Sequence, residues 1–276
     1  MNKIAFLFLI YDIINHESIW FNFFNGISKN KYSIYIHYKI NDNLEFFNNY
    51  KINKTIATKY ADISIVKAQN LLIKEALKDA NNKHFIFLSG SCIPLKSFNY
   101  IYNLLDTKYS YFHIAHPDDC FPDCKVVLKY IPKIHINKAS QWCILNRPHS
   151  ELLLRGADDY LLWFKDTYAP DELCYISYLS YIYGNSINNI NNTSTLSNEI
   201  ISTSYEEPPE MATTFANWED MKYKYVSLRE LKNYKSISEE ELHHLLRSKS
   251  LFGRKFKPSC YYSLNKRFYY DMITDK

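Results

Sequence analysis

Glycine is scarce in this chain of 276 residues, which contains only five. The GxGxxG and GxxxxGKS/T phosphate-binding motifs each need closely spaced glycines, and neither motif occurs in the sequence. This argues against a standard dinucleotide-binding loop and against a P-loop. Long apolar runs are missing as well, because no segment approaches the roughly 18 consecutive apolar residues of a membrane-spanning helix.

Neither the charge nor the cysteine content points to a specialised class of protein. The 33 Lys and Arg against 29 Asp and Glu leave a net charge of +4, which is too mild to indicate a nucleic-acid or membrane-surface partner. The six cysteines are dispersed in a chain long enough to fold without disulfides, so we expect mostly free thiols. The abundance of Asn, Ile, Lys and Tyr is typical of an AT-rich genome, such as that of a large DNA virus or a microbe.

A continuous apolar run at residues 4–10 predicts a strand that is buried on both faces of a sheet, and residues 32–38 and 84–88 predict a second and a third strand. Between them, an aromatic segment at 20–24 and apolar residues recurring every three or four positions over 65–80 predict helices. The alternation indicates an α/β fold, and we expect a single domain over residues 1–276. The first run is too short for a secretory signal and no cleavage site follows it, so we expect a cytoplasmic protein.

Weaker patterns continue this alternation towards the C-terminus. They predict strands at 110–113 and 141–145, and helices from about 97, over 148–155, over 171–183 and over 238–246. The last of these begins with Ser238 and Glu241 at the spacing of a capping box. A segment rich in Asn, Ser and Thr at 185–198 predicts a long surface loop.

The segment Ser89-Gly90-Ser91 directly follows the third predicted strand. Open α/β sheets bind their ligands in loops at the carboxyl ends of the strands, so this loop is a candidate ligand contact. Further along the chain, Asp171 and Glu172 follow Pro170 at a predicted helix start. A glutamate in that position can serve as a general base, although capping of the helix by acidic residues explains the pattern equally well.

Arginine is rare in this chain, and Arg254 and Lys255 stand side by side in an apolar frame. A planar guanidinium next to a mobile ammonium suits two neighbouring phosphates, and the alternative is a solvated basic turn. Two tryptophans, Trp142 and Trp218, lie among amide and hydroxyl residues. They can stack on sugar rings or simply pack in the core.

The segment 113–124 combines His, Asp and Cys residues, which are metal-ligand types. Structural zinc sites usually draw their ligands from two separated pairs, and the aspartates and prolines here also describe a loop with several turns. The sequence also lacks a convincing Asp-x-Asp after a strand, the pattern that would hold a divalent cation against a diphosphate. We therefore expect no metal cofactor.

Taken in order, seven segments of the chain resemble the core-2/I-branching N-acetylglucosaminyltransferase and peptide O-xylosyltransferase family (glycosyltransferase family 14), especially its plant-like branch. The segments are residues 4–9, 32–37, 87–95, 140–142, 170–172, 213–218 and 252–256. The resemblance implies a GT-A-type, Rossmann-like fold with a mixed central sheet flanked by helices. It also implies a UDP-sugar donor, a glycan acceptor, inversion at the anomeric carbon and catalysis without a metal.

The resemblance carries roles to particular residues. Glu172 becomes the catalytic base, and Arg254 and Lys255 bind the diphosphate. The resemblance also implies a group of residues that contact the donor or acceptor sugar: Ser89, Gly90, Ser91, Trp142, Asp171 and Trp218. The nucleotide base would lie near Ile10, Tyr11 and His37.

The chain departs from the animal members of this family at two positions, Lys39 and Cys92, where many of them carry acidic residues. The expected sugar is N-acetylglucosamine, with xylose or glucuronic acid as alternatives. Two other functions fit parts of the sequence. A carbohydrate-binding protein on the same fold would need no base, and a glycoside hydrolase would need a second carboxylate at roughly 5 to 9.5 Å from Glu172.

Overall fold

The structure is a computed structural model that describes residues 2–114, 123–184, 200–202, 213–223 and 226–275. A six-stranded mixed sheet forms its centre, in the order β2-β1-β3-β6-β5-β7. Its strands are β1 (Lys3–Ile10), β2 (Tyr32–Tyr38), β3 (Asn82–Ser89), β5 (Ser110–Phe112), β6 (Ile144–Asn146) and β7 (Ile200–Ser202). The first three are parallel, whereas β6 runs antiparallel to both β3 and β5.

Helices cover both faces of this sheet, which explains why β1 is apolar from Ile4 to Ile10. Along β1, Ala5 and Leu7 belong to one buried cluster, whereas Phe6 and Phe8 belong to another on the opposite face. The helices are α1 (Glu17–Phe24), α2 (Ser64–Ala76), α3 (Phe98–Leu104), α4 (Arg147–Arg155), α5 (Ala157–Phe164), α6 (Cys174–Tyr183), α7 (Glu239–Arg247), α8 (Tyr261–Leu264) and α9 (Arg267–Thr274). The predicted α/β fold, with a mixed central sheet flanked by helices, is confirmed.

A second, three-stranded sheet brings together parts of the chain that are far apart in sequence. It contains β4 (Ile93–Pro94), β8 (Thr214–Ala216) and β11 (Phe252–Arg254), with β11 in the middle. Strand β11 runs antiparallel to β4 and parallel to β8. A separate hairpin is formed by β9 (Trp218–Tyr223) and β10 (Val226–Leu231). The small sheet therefore connects the loop after β3 with the predicted basic pair.

Most predicted helices and strands are present, but some of them begin or end at other residues than predicted. The helix predicted over 65–80 ends at Ala76, because Asp79 instead forms a turn in which its carboxylate accepts from the Asn81 amide at 2.9 Å. The strand predicted over 141–145 begins only at Ile144. The predicted loop at 185–198 lies outside the described residues.

The helix predicted from Asp171 starts later than expected. Residues Pro170–Glu172 form a single 3-10 turn, and α6 begins at Cys174. Ala169, which precedes the turn, adopts a left-handed backbone conformation with φ of 48°. The two acidic residues therefore lie in a turn ahead of the helix, so the idea that they cap its first turn is wrong.

The sequence also predicts free thiols and no membrane-spanning helix. The five described cysteines, Cys92, Cys124, Cys143, Cys174 and Cys260, are buried, and four of them, Cys92, Cys143, Cys174 and Cys260, are free thiols. Within the described ranges, every helix is too short or too polar to cross a bilayer.

Gly90 lies where the backbones of two loops meet. A Cβ atom at this position would come within 2.3 Å of the Ile13 carbonyl oxygen, and that oxygen cannot move without moving the chain. We expect Gly90→Ala to lower the free energy of unfolding by about 1 to 3 kcal/mol, measured by urea denaturation. At Gly253 the added Cβ would meet only side-chain atoms, at 3.3 Å, so Gly253→Ala serves as the milder control. Equal stability of Gly90→Ala and wild type would contradict this account of the loop.

Candidate active site

The site lies at the carboxyl ends of the parallel strands, where the loop after β3 joins the loop after β1. The Asn15 amide donates to the Gly90 carbonyl at 2.7 Å, and the Asn15 side chain donates to the Phe256 carbonyl at 2.7 Å. The Phe256 amide in turn donates to the Ser91 carbonyl at 3.0 Å. These bonds hold the Ser89-Gly90-Ser91 loop against the chain that follows Arg254 and Lys255. Asn15 was not identified from the sequence, because no motif marks it.

The serines of this loop bond mainly to their own neighbours. The Ser89 hydroxyl lies 3.0 Å from the Ser91 hydroxyl and 3.1 Å from the Cys92 sulfur. Burial raises the pKa of the Cys92 thiol, so this residue is neutral. The Ser89-Gly90-Ser91 loop is thus uncharged, and the backbone hydrogen bonds of Gly90 and Ser91 hold it in place.

Arg254 leaves β11 and lies over the face of Trp142. The guanidinium carbon is 4.8 Å from the centre of the indole, which is the geometry of a cation–π contact. Trp142 is buried and is held by its backbone, because its carbonyl accepts from the Thr213 hydroxyl at 2.6 Å. Trp142 therefore packs against the predicted diphosphate-binding arginine and fixes its position.

The Nε atom of Arg254 is shielded from solvent and has no hydrogen-bond partner among the described residues. Burial lowers the pKa of Arg254, while the charges of Glu172 and Asp171 act in the opposite direction. Lys255 is partly buried, and its pKa is lowered by burial and by the neighbouring charges of Arg254 and Lys257. Arg254 therefore lies within electrostatic range of Glu172 and Asp171, and its Nε donor has no partner among the described residues.

Glu172 is partly exposed and forms an ion pair with Lys138, with 3.4 Å between Oε2 and Nζ. The backbone reinforces this contact, since the Ala139 amide donates to the Glu172 carbonyl at 2.8 Å. Lys138 was missed in the sequence because a lone lysine carries no recognisable pattern. Residues 138–142, which we call the strap, thus contact the predicted base at one end and the Arg254 guanidinium at the other.

Asp171 lies beside Glu172 but is buried, and its Oδ1 atom has no hydrogen-bond partner among the described residues. Burial raises its pKa to about 7, and the charge of Glu172 adds to this effect. Arg254 and Lys138 oppose the shift. Two adjacent carboxyl groups therefore differ in environment, and Asp171 keeps its proton over most of the acidic range.

Asp171→Asn is expected to change how stability depends on pH. In the folded state Asp171 holds its proton up to a pKa of about 7, against an ordinary value of 3.8. Wild-type stability therefore includes a contribution that is complete below pH 3.8 and is lost as the pH rises through 7. We measure the free energy of unfolding of both proteins by urea denaturation at pH 5 and at pH 8. From pH 5 to pH 8, the stability of the variant should rise by about 3 kcal/mol relative to that of wild type. A constant difference between the two proteins would contradict a buried, protonated Asp171.

The predicted nucleotide-base region lies at the ends of β1 and β2. Ile10 and His37 are buried, and His37 Nε2 accepts from the Ile56 amide at 3.1 Å. Burial lowers the pKa of His37 to about 4, so its ring is neutral. Tyr11 is exposed, and the Lys39 ammonium lies 5.2 Å from the centre of its ring. Of the three residues predicted to lie near the nucleotide base, Tyr11 alone has an exposed side chain.

The predictions for Trp218 and for the possible metal ligands at 113–124 fall wholly or partly outside the described residues. Trp218 begins β9, but its side chain lies outside the described part of the structure. The metal-ligand types at 113–124 fall largely on undescribed residues. Among the described residues, no three His, Cys, Asp or Glu side chains come together as they would around a metal ion.

The chain is similar in sequence to a known enzyme family and to a plant glycosyltransferase. A model of the Core-2/I-Branching enzyme family matches residues 4–246. A curated relative, "Glycosyltransferase BC10" from Oryza sativa subsp. japonica, is 30% identical over 169 residues. That alignment covers 56% of this chain and 41% of the rice protein, so the chain spans less than half of its relative.

Proposed function

The chain belongs to the Core-2/I-branching enzyme family, and from this premise we propose that it is an inverting glycosyltransferase. The donor would be a UDP-sugar and the acceptor a hydroxyl group of a glycan. The observation that carries the proposal is the strap, residues 138–142. It joins an accessible carboxylate, Glu172, to a shielded guanidinium, Arg254, within one site.

Glu172 is the group suited to take the proton from the acceptor. Its carboxylate is partly exposed, and its position is fixed by Lys138 and by the backbone bond from Ala139. As the acceptor hydroxyl attacks the anomeric carbon, its proton passes to Glu172 and the bond from that carbon to UDP breaks on the opposite face. Asp171 is less suited to this step, because it is buried and a pKa of about 7 leaves a large share of it protonated at neutral pH.

Arg254 and Lys255 are suited to stabilise the departing diphosphate. Negative charge develops on the leaving phosphate oxygens, and fixed cations stabilise this charge without reorganising during the reaction. The Nε donor of Arg254 has no partner among the described residues, and a phosphate oxygen would satisfy it once the side chain turns towards the donor substrate. With two cations already in place, we propose that the reaction does not require a divalent metal. N-acetylglucosamine is the proposed sugar, and xylose and glucuronic acid are the alternatives.

The proposal is tested by UDP release from the purified protein. UDP-N-acetylglucosamine, UDP-xylose and UDP-glucuronic acid are each offered with a mixed pool of glycan acceptors, with Mg²⁺ or with EDTA. We expect acceptor-dependent release from one donor at the same rate in both conditions. Release that stops in EDTA would overturn metal independence. No release from any donor, together with no UDP-induced rise in melting temperature, would overturn the transferase itself.

A further inference from the structure

Two tyrosines, Tyr60 and Tyr168, stand exposed beside the proposed base. Tyr60 is 84% exposed and Tyr168 is 60% exposed, so both rings are open to a ligand. They come from loops more than a hundred positions apart in the sequence. The Ala169 amide donates to the Ala61 carbonyl at 3.3 Å, so the two loops are joined directly after each tyrosine.

The backbone at this junction is strained in both loops. Ala61 has a φ of 53° and Ala169 a φ of 48°, the left-handed region that residues with a side chain rarely adopt. Such conformations cost free energy and persist where surrounding structure holds them, most often at functional sites. Here each strained alanine directly follows an exposed tyrosine.

The tyrosine pair also lies within electrostatic reach of the carboxylates. Hydrogen bonding with the Tyr168 hydroxyl raises the pKa of Tyr60, with further contributions from burial and from the charges of Glu172 and Asp171. The turn that carries Glu172 is continuous with Tyr168, because the Glu172 amide donates to the Ala169 carbonyl at 3.0 Å. The loops that carry the two tyrosines are therefore joined to each other and to the turn that carries the proposed base.

We propose that Tyr60 and Tyr168 form the acceptor subsite, on which a pyranose ring of the acceptor glycan stacks. A pyranose presents a face of C–H groups and a rim of hydroxyls, and tyrosine offers an apolar ring with a polar tip. A sugar on this surface would place a hydroxyl next to Glu172, which is the geometry that base catalysis needs. This inference rests on the proposed function and adds the residues that bind the acceptor sugar.

Ligand-observed NMR tests the subsite without relying on turnover. The probes are the methyl β-pyranosides of galactose, glucose, N-acetylglucosamine and xylose, each titrated with and without UDP. We expect wild type to bind at least one of them, and Tyr60→Ala and Tyr168→Ala to bind it about fivefold to tenfold more weakly. Tyr60→Phe and Tyr168→Phe should retain most of the binding, because the ring remains.

Tyr262→Ala is the matched control, because Tyr262 is also 84% exposed but lies on α8. It should bind the glycoside like wild type. UDP affinity, measured by calorimetry, should be the same in all of these variants. The acceptor subsite is overturned if wild type binds none of the four glycosides, if the alanine variants bind them like wild type, or if those variants lose UDP affinity instead. Absence of UDP binding by wild type would count against the proposed function, and the titrations without UDP would still decide on the subsite.

Discussion

Glu172→Gln is expected to lower the rate of sugar transfer by about 10² to 10⁴-fold while UDP still binds. The amide has the shape of the carboxylate but cannot take a proton from the acceptor hydroxyl. It also loses the charge that pairs with Lys138 at 3.4 Å. Steady-state UDP release with a saturating acceptor measures the rate, and calorimetry with UDP measures the retained binding.

Two other variants separate the role of the base from loss of the ion pair. Lys138→Met removes the ion pair but keeps the carboxylate, so it should retain far more turnover than Glu172→Gln. Glu151→Gln alters a glutamate that is paired with Arg147 on α4 at 2.8 Å, and it should behave like wild type. Turnover of Glu172→Gln within a few fold of wild type would mean that another group removes the proton.

Arg254→Ala and Lys255→Ala are expected to weaken UDP binding about tenfold to a hundredfold each, as loss of a charge-assisted hydrogen bond predicts. The loss at Arg254 should be the larger, because its guanidinium is fixed over Trp142 and keeps a shielded donor without a partner among the described residues. Arg254→Lys should recover only part of the affinity, since an ammonium cannot reproduce the planar stacking. Calorimetric titration with UDP gives the dissociation constants.

The melting temperature must accompany these titrations, because removing Arg254 leaves a cavity beside Trp142. Arg267→Ala is the control for loss of a positive charge, as Arg267 is 94% exposed on α9. It should leave UDP affinity unchanged. If Arg254→Ala and Lys255→Ala are folded and bind UDP like wild type, the diphosphate lies elsewhere.

The central sheet was predictable because its strands are buried on both faces. Residues 4–10 are apolar throughout and residues 32–38 are rich in isoleucine and tyrosine, and both form parallel strands in nearly the predicted bounds. The small sheet was not predictable in this way. Its strands at 93–94, 214–216 and 252–254 are two or three residues long, too short to show a period, and they pair only across large sequence distances.

The site was predicted as a set of motifs, and the structure adds how they connect. Pairing of β11 with β4 brings the basic pair to the Ser89-Gly90-Ser91 loop. Lys138 and Tyr60 could not be found from the sequence, because a single lysine or tyrosine is common and their contacts depend on distant loops. The start of α6 was misplaced because acidic residues after a proline fit a 3-10 turn as well as a helix.

The anomeric configuration of the first product tests the central claim most directly. Wild type is incubated with its UDP-sugar, in which the sugar is α-linked, and an acceptor, and the new anomeric proton is followed by NMR from the earliest time points. Direct attack by an acceptor activated by Glu172 predicts a β-linked product from the start. An α-linked product would contradict the inverting reaction and the role assigned to Glu172.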